Sequence, residues 1–153
     1  MATDKDKMSI SMYSASLFAL INLPFTYTFV ENTLNKGCAL IDENASKIEL
    51  YKNNCPTHLG RMVMTLIFYL VTYMSMDKVE DHTQRIKNSI YGTLIFYFVS
   101  SPSCFSLVRT IAKIFVSDDQ IDMIISKDGC PSTLGVGLHA ALFFIIIYYM
   151  MKL

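Results

Sequence analysis

The chain has 153 residues, 52% of them hydrophobic and 17% charged, with mean hydropathy +0.36 and no tryptophan. A soluble domain carries about 25% charged residues, so lipid is the expected solvent for much of this chain. Its thirteen basic and thirteen acidic residues cancel to a formal net charge of zero, which removes any global field for nucleic acid or acidic substrates.

Residues 1–7 alternate acids and lysines and read as a solvated tail. Residues 8–30 hold no charge over 23 positions, enough for the roughly 20 residues a helix needs to cross a hydrocarbon core about 30 Å thick. Pro24 lies inside this run and predicts a kink, with Asn22 near enough to satisfy a freed carbonyl. Pro24 and the aromatic residues behind it fit a cleaved signal peptide poorly, so the helix is expected to stay and anchor. Residues 32–54 read as a polar loop containing Cys38, and Asn44-Ala45-Ser46 within it is a glycosylation sequon.

A second helix is expected from Cys55-Pro56 onward. Pro56 suits a first helical position and Thr57 or Asn54 an N-cap. Its uncharged part, residues 62–76, spans 15 positions and reaches membrane length only if Arg61 snorkels to the headgroups. Residues 77–87 form a charged linker, and residues 88–108 form a third uncharged run of 21 positions with Pro102 inside it. Ser100, Ser101, Ser103 and Cys104 around that proline suit a bend and close helix packing. Arg109 and Lys113 among apolar neighbours predict an amphipathic continuation at the interface. Residues 117–127 read as a second polar loop, and residues 129–151 as a fourth span of 23 uncharged positions.

An internal repeat organises these elements. Cys55-Pro56-Thr57-His58-Leu59-Gly60 returns as Cys130-Pro131-Ser132-Thr133-Leu134-Gly135, 75 residues later, and Pro24 returns as Pro102, 78 residues later. Phe68, Tyr73 and Met76 are followed in the same way by Phe143, Tyr148 and Met151. The expected fold is therefore an all-α membrane protein of four transmembrane helices, arranged as two tandem helical hairpins: residues 1–76, the linker 77–87, and residues 88–153. An even number of spans puts both termini on one side, and the halves form a parallel, not inverted, duplication. By density the side of the termini is the more basic, which favours the cytoplasm for both.

Few side chains suggest chemistry. Cys55 and Cys130 occupy equivalent helix starts, with Cys38 on the same side. A disulfide from Cys38 to Cys55, or from Cys55 to Cys130, stands beside the alternative of reduced thiols that only cap. Cys-x-x-Cys is absent, which leaves a membrane thiol oxidoreductase little support. His139 is an ionisable group inside the fourth span; as a neutral imidazole it would bond to Asn22 or the Ser100 cluster, whereas a transport function would line a polar path with Asn22, Ser100 and His139. No catalytic, cofactor-binding or metal-binding motif is found.

The motifs Leu20-Ile21-Asn22-Leu23-Pro24 with residues 54–60, and again Pro102 with residues 129–135, resemble those of small membrane proteins of nucleocytoplasmic large DNA viruses. That resemblance implies a non-enzymatic structural protein of the virion inner membrane, a minor capsid component anchoring the shell to the membrane. Its partners would be the lipid bilayer and other capsid or membrane proteins, with self-association open and no nucleic acid or cofactor. A small channel or transporter is the alternative.

Overall fold

A computed structural model describes residues 4–41, 46–53, 55–76, 82–114, 117–125 and 130–151. The described chain is mostly helical. It runs α1 (Asp4–Asn22), α2 (Pro24–Ile41), β1 (Tyr51–Lys52), β2 (Cys55–Pro56), α3 (His58–Ser75), α4 (His82–Val99), α5 (Pro102–Ala112), α6 (Asp118–Ile124) and α7 (Thr133–Met150). The sequon residues Asn44 and Ala45 and the first part of the charged linker, residues 77–81, lie outside the described residues.

The two internal prolines break their helices outright. α1 and α2 meet at 64°, and α4 and α5 at 58°. Proline has no N–H to offer the carbonyl four residues back, so the carbonyls of Leu20 and Phe98 need other donors. Thr26 Oγ1 donates to Leu20 O at 2.6 Å, and Ser101 Oγ donates to Phe98 O at 2.7 Å. Thr26, not Asn22, thus replaces the lost bond; the Asn22 amide instead donates to Phe18 O at 2.9 Å. The single kinked helix expected over residues 8–30 is two helices, and α2 runs on to Ile41 through much of the expected polar loop. α4 likewise starts at His82, so Arg85 and Lys87 belong to a helix and not to the linker. The second polar loop contains α6.

Helices α1, α3, α4 and α7 form a four-membered bundle. α1 packs most extensively on α7 and α3 on α4, while the α1–α3 and α4–α7 contacts are slighter. The closest partnerships run across the two halves, or join the end of one half to the start of the next, so the repeats interlock and are not two self-contained hairpins. Burial follows the duplication closely: Ser11, Ser14, Phe18, Ile21 and Asn22 are buried in α1, and Ser89, Phe96, Val99 and Ser100 at equivalent positions of the second copy. In α3 the buried row is Gly60, Met64, Phe68 and Thr72; in α7 it contains Gly135, His139, Phe143 and Ile147, each 75 residues on.

Four phenylalanines close the centre of the bundle. Phe18 stacks on Phe143 and Phe68 on Phe96, with centroids 4.9 and 4.4 Å apart. Phe18 meets Phe96, and Phe68 meets Phe143, edge to face at 5.3 and 5.9 Å. Exchanging the halves converts each stacked pair into the other and leaves each edge contact in place, the mark of a pseudo-twofold axis through the cluster. Each such pair contributes about 0.5–1.5 kcal/mol beyond its burial.

The outer faces are apolar. Met62, Leu66, Leu70 and Met74 form an exposed row on α3, and Leu134, Leu138, Ile145 and Tyr149 are exposed on α7. α7 is long and apolar enough to cross a membrane, and each bent pair, α1 with α2 and α4 with α5, passes the same test if taken as one broken span. α3, with Arg61 in its first turn, does not pass it.

Candidate functional site

The Cys-Pro motifs sit side by side at one end of the bundle, where a disulfide joins Cys55 to Cys130 with Cα atoms 5.4 Å apart. Of the two pairings left open by sequence, this is the one that ties the repeats together; Cys38 and Cys104 are free and half-buried. The motif opens a helix less directly than expected. Cys55 and Pro56 form strand β2, paired antiparallel with β1 through Tyr51–Pro56 and Lys52–Cys55, and Asn53 turns the hairpin at φ 52°. Such a positive φ suits asparagine. Pro131 makes the corresponding bridge to Ile125. Neither proline is the first residue of its helix, because both are spent in the hairpins.

Each hairpin locks its helix by the same three contacts. Thr57 N donates to Leu50 O at 2.9 Å, and Ser132 N to Ile124 O at 3.0 Å. The Thr57 hydroxyl donates between Glu49 O at 2.9 Å and Leu50 O at 3.1 Å, and the Ser132 hydroxyl donates to Ile124 O at 2.9 Å. Those hydroxyl oxygens in turn accept from Gly60 N at 3.0 Å and Gly135 N at 3.2 Å, the usual N-cap bond. Glycine is required at both positions by close approach, since a Cβ on Gly60 would lie 2.1 Å from Leu50 O and one on Gly135 2.3 Å from Ile124 O.

Charged residues on the bent helices grip these hairpins. Glu31 in α2 accepts from the backbone N–H groups of Leu50 and Tyr51 at 2.7 and 3.1 Å, while Asn35, one turn on, exchanges two bonds with Ile48 at 3.0 and 2.8 Å. In α5, Arg109 donates to Ile125 O at 3.1 Å and pairs with Asp122. Adding the proline offset of 78 to position 31 gives 109, so opposite charges hold the same backbone feature, one as acceptor and one as donor. The sequence places Arg109 only on an amphipathic continuation at the interface and gives Glu31 no role; the offset of 78 applied to charged positions is the signal that pairs them. Burial raises the Tyr51 phenol above its ordinary pKa beside this grip.

The three residues of the expected polar path do not meet. Asn22, Ser100 and His139 are all buried, and each bonds within its own helix: to Phe18 O, to Tyr97 O at 3.4 Å, and to Gly135 O at 3.0 Å through His139 Nδ1. The His139 ring lies 3.8 Å from that of Phe105. His139 makes no bond to Asn22 or to the Ser100 side chain: Gly135 O, one turn back on α7, meets its Nδ1, and from the cluster around Pro102 it is the Cys104 backbone that interacts with the ring. Met64 holds the equivalent, fully buried place in α3. Among the described residues no three His, Cys, Asp or Glu side chains gather into a metal-binding group.

At the end remote from the disulfide the bundle opens into a cavity of about 820 Å³ between α1, α3, α4 and α7. The N-terminal parts of α1 and α4 and the C-terminal parts of α3 and α7 share its wall. α1 and α4 therefore run in the same direction, as a parallel duplication requires. Comparison of the chain with protein-family models, with curated proteins and with solved structures gives no match.

Proposed function

We propose that this chain is an integral membrane protein without catalytic activity that anchors an assembled shell to a bilayer, the setting suggested by its motifs being the inner membrane of a large DNA virus. In this reading α7 crosses the bilayer on its own length and hydropathy, and α1, α3 and α4, of 18 or 19 residues or about 27–28 Å, cross with the charges of their first turns, residues 4–7, Arg61, and Arg85 with Lys87, held at headgroup level. The bent-off helices α2 and α5 then lie along the interface with the two hairpins. Phe25 and Phe29 of α2 and Leu107 and Ile111 of α5 are exposed apolar residues suited to that level.

The observation that carries the reading is the inside-to-outside contrast of the bundle. Apolar side chains cover its outer faces, while its centre is filled by four interlocking phenylalanines and its buried polar residues Asn22, Thr72 and Ser100 bond to backbone carbonyls three or four residues back; His139 bonds Gly135 O through Nδ1 and also meets the Cys104 backbone of α5. Asn22, Thr72 and Ser100, satisfied in this way, suit a dry interior better than a water path, so the channel reading gains no support from these three; the buried Ser11 Oγ and His139 Nε2 make no such bond. The disulfide lies at the end of the bundle opposite the cavity, so the cavity brings no substrate site to its sulfurs.

Alkaline carbonate extraction combined with thiol accessibility tests this. In a background lacking Cys38 and Cys104, single cysteines at positions 22, 100 and 139 are expected to resist a membrane-impermeant thiol reagent while the protein stays in the membrane pellet. Release by carbonate, or rapid labelling at all three positions, overturns the reading. For the shell role, the protein should cosediment with assembled particles after the surrounding membrane is stripped by mild detergent; complete loss with the lipid would refute it.

A further inference from the structure

The cavity remote from the disulfide is constructed by both copies of the repeat. One turn before Phe18 and Phe96, on the side of the termini, the inward positions are Ser14 and Gly92; Ser11 and Ser89, a further turn out, are also buried. Small residues at equivalent places on α1 and α4 hold the helices apart from a filling side chain, whereas bulky phenylalanines close the layer above. Ser11 and Ser89 lie behind the wall, and Tyr13 with Tyr91 is a further matched pair on it.

Its chemistry is graded from floor to rim. Phe68, Phe143, Ile95 and Ile147 supply an apolar interior. Ser9, Tyr13, Ser75 and Asn88 supply neutral donors and acceptors towards the ends of the helices, and Tyr13 Oη already lies 2.6 Å from Ser75 Oγ. No charged side chain is among the described residues that line it. A phosphate or ammonium headgroup drawn inside would lose water without gaining a counter-charge, but a hydroxyl, one donor with two acceptor lone pairs, matches the rim. The volume falls within the roughly 300–1,000 Å³ of small-molecule sites.

We propose that this cavity binds one uncharged lipid alcohol, a sterol or a diacylglycerol, with its hydrocarbon against Phe68 and Phe143 and its hydroxyl at the rim. The proposal rests on the membrane reading above, which supplies the lipid.

Photoreactive sterol, diacylglycerol and phosphatidylserine probes, applied to the full chain in phosphatidylcholine vesicles and mapped by peptide mass spectrometry, test it. The sterol or the diacylglycerol is expected to label buried cavity residues such as Phe68, Thr72 and Ile147 saturably; which of the two does so identifies the source. Phosphatidylserine is expected to label only the outer faces, at residues such as Leu20 and Phe98. Gly92→Leu is the blocking variant: a Cβ there meets only the Phe68 ring, at 3.9 Å, so the new side chain grows into the cavity without backbone strain. It should reduce cavity labelling by about tenfold or more, because the added side chain occupies the volume the lipid would fill. Should Gly92→Leu lose its helical signal, Ser14→Leu together with competition by unlabelled lipid on the parent chain replaces it.

Labelling confined to the outer faces, equal labelling of the cavity by phosphatidylserine, or unchanged cavity labelling in a folded blocking variant overturns the proposal. Carbonate extraction of the same preparation separates the two failures. A chain that washes out of membranes yet labels saturably in the cavity refutes the membrane reading and keeps the site, and the converse result refutes the site alone.

Discussion

Gly60→Ala places a methyl group where the structure has a backbone carbonyl, 2.1 Å from Leu50 O and 2.9 Å from its carbon. Neither atom belongs to a flexible side chain, so the hairpin must withdraw by more than an ångström. Withdrawal stretches the Thr57 N–H bond to Leu50 O and pulls Leu50 and Tyr51 away from the Glu31 carboxylate. Overpacking costs about 1–3 kcal/mol and a lost hydrogen bond about 0.5–1.5 kcal/mol, while alanine returns up to about 1 kcal/mol of helix propensity. The net loss is about 2 kcal/mol, or roughly 4–8 °C in Tm for a chain of this length. Gly137→Ala in the same family of positions is the control, because nothing lies within 4 Å of a Cβ there; it should leave Tm unchanged or raise it by a few degrees, roughly 2–4 °C. Thermal melting followed by circular dichroism in a mild detergent reads both variants, and Gly135→Ala should repeat the loss. A Gly60→Ala protein that melts with or above the parent, or a Gly137→Ala protein that falls as far, would refute the close-approach account.

Phe68→Ala removes one member of the central phenylalanine cluster and should cost about 3–5 kcal/mol, with Phe143→Ala equivalent by symmetry, both read as detergent melting curves. Cys55→Ser should shift the chain to the mobility of the reduced form on non-reducing gels and lower stability by about 4 kcal/mol, the chain-entropy value for a 75-residue separation. Glu31→Leu leaves the Leu50 and Tyr51 N–H groups without their acceptor and should cost about 2–3 kcal/mol; Glu31→Gln, which keeps one acceptor oxygen, should recover part of it in the same melting assay. His139→Met copies the residue at the equivalent position 64 and should change stability by less than about 1.5 kcal/mol, as near-isosteric core exchanges do; a large loss would mean that the imidazole holds more than Gly135 O and the Cys104 backbone.

The duplication was legible because the buried rows are written in residue identity: Gly60 and Gly135, Phe68 and Phe143, Pro24 and Pro102 recur at constant offsets. The element boundaries were less so. The second half of α2 and all of α6 lay inside stretches whose charges suggested loops, because Asn35 and Asp122 look like solvated polar residues until their partners are known. Counting uncharged residues likewise merged α1 with α2 and α4 with α5. It registered composition along the chain, not the 64° and 58° changes of direction at the prolines. Cys55 and Pro56 pointed to a helix start because proline is common there, but the strand that pairs with them begins several residues earlier and carries no motif of its own.

The sequence by itself determined the apolar class of the chain, its twofold plan and which positions pair across that plan, since these depend on residue type and spacing alone. Tertiary structure alone decided that Cys55 bonds Cys130 rather than Cys38, that α1 seeks α7 and α3 seeks α4, and that Asn22, Ser100 and His139 each turn to their own helix. The reason is geometric: a thiol or an amide can serve any partner within reach, and reach is set by how the four helices pack around the phenylalanine cluster, not by their order along the chain.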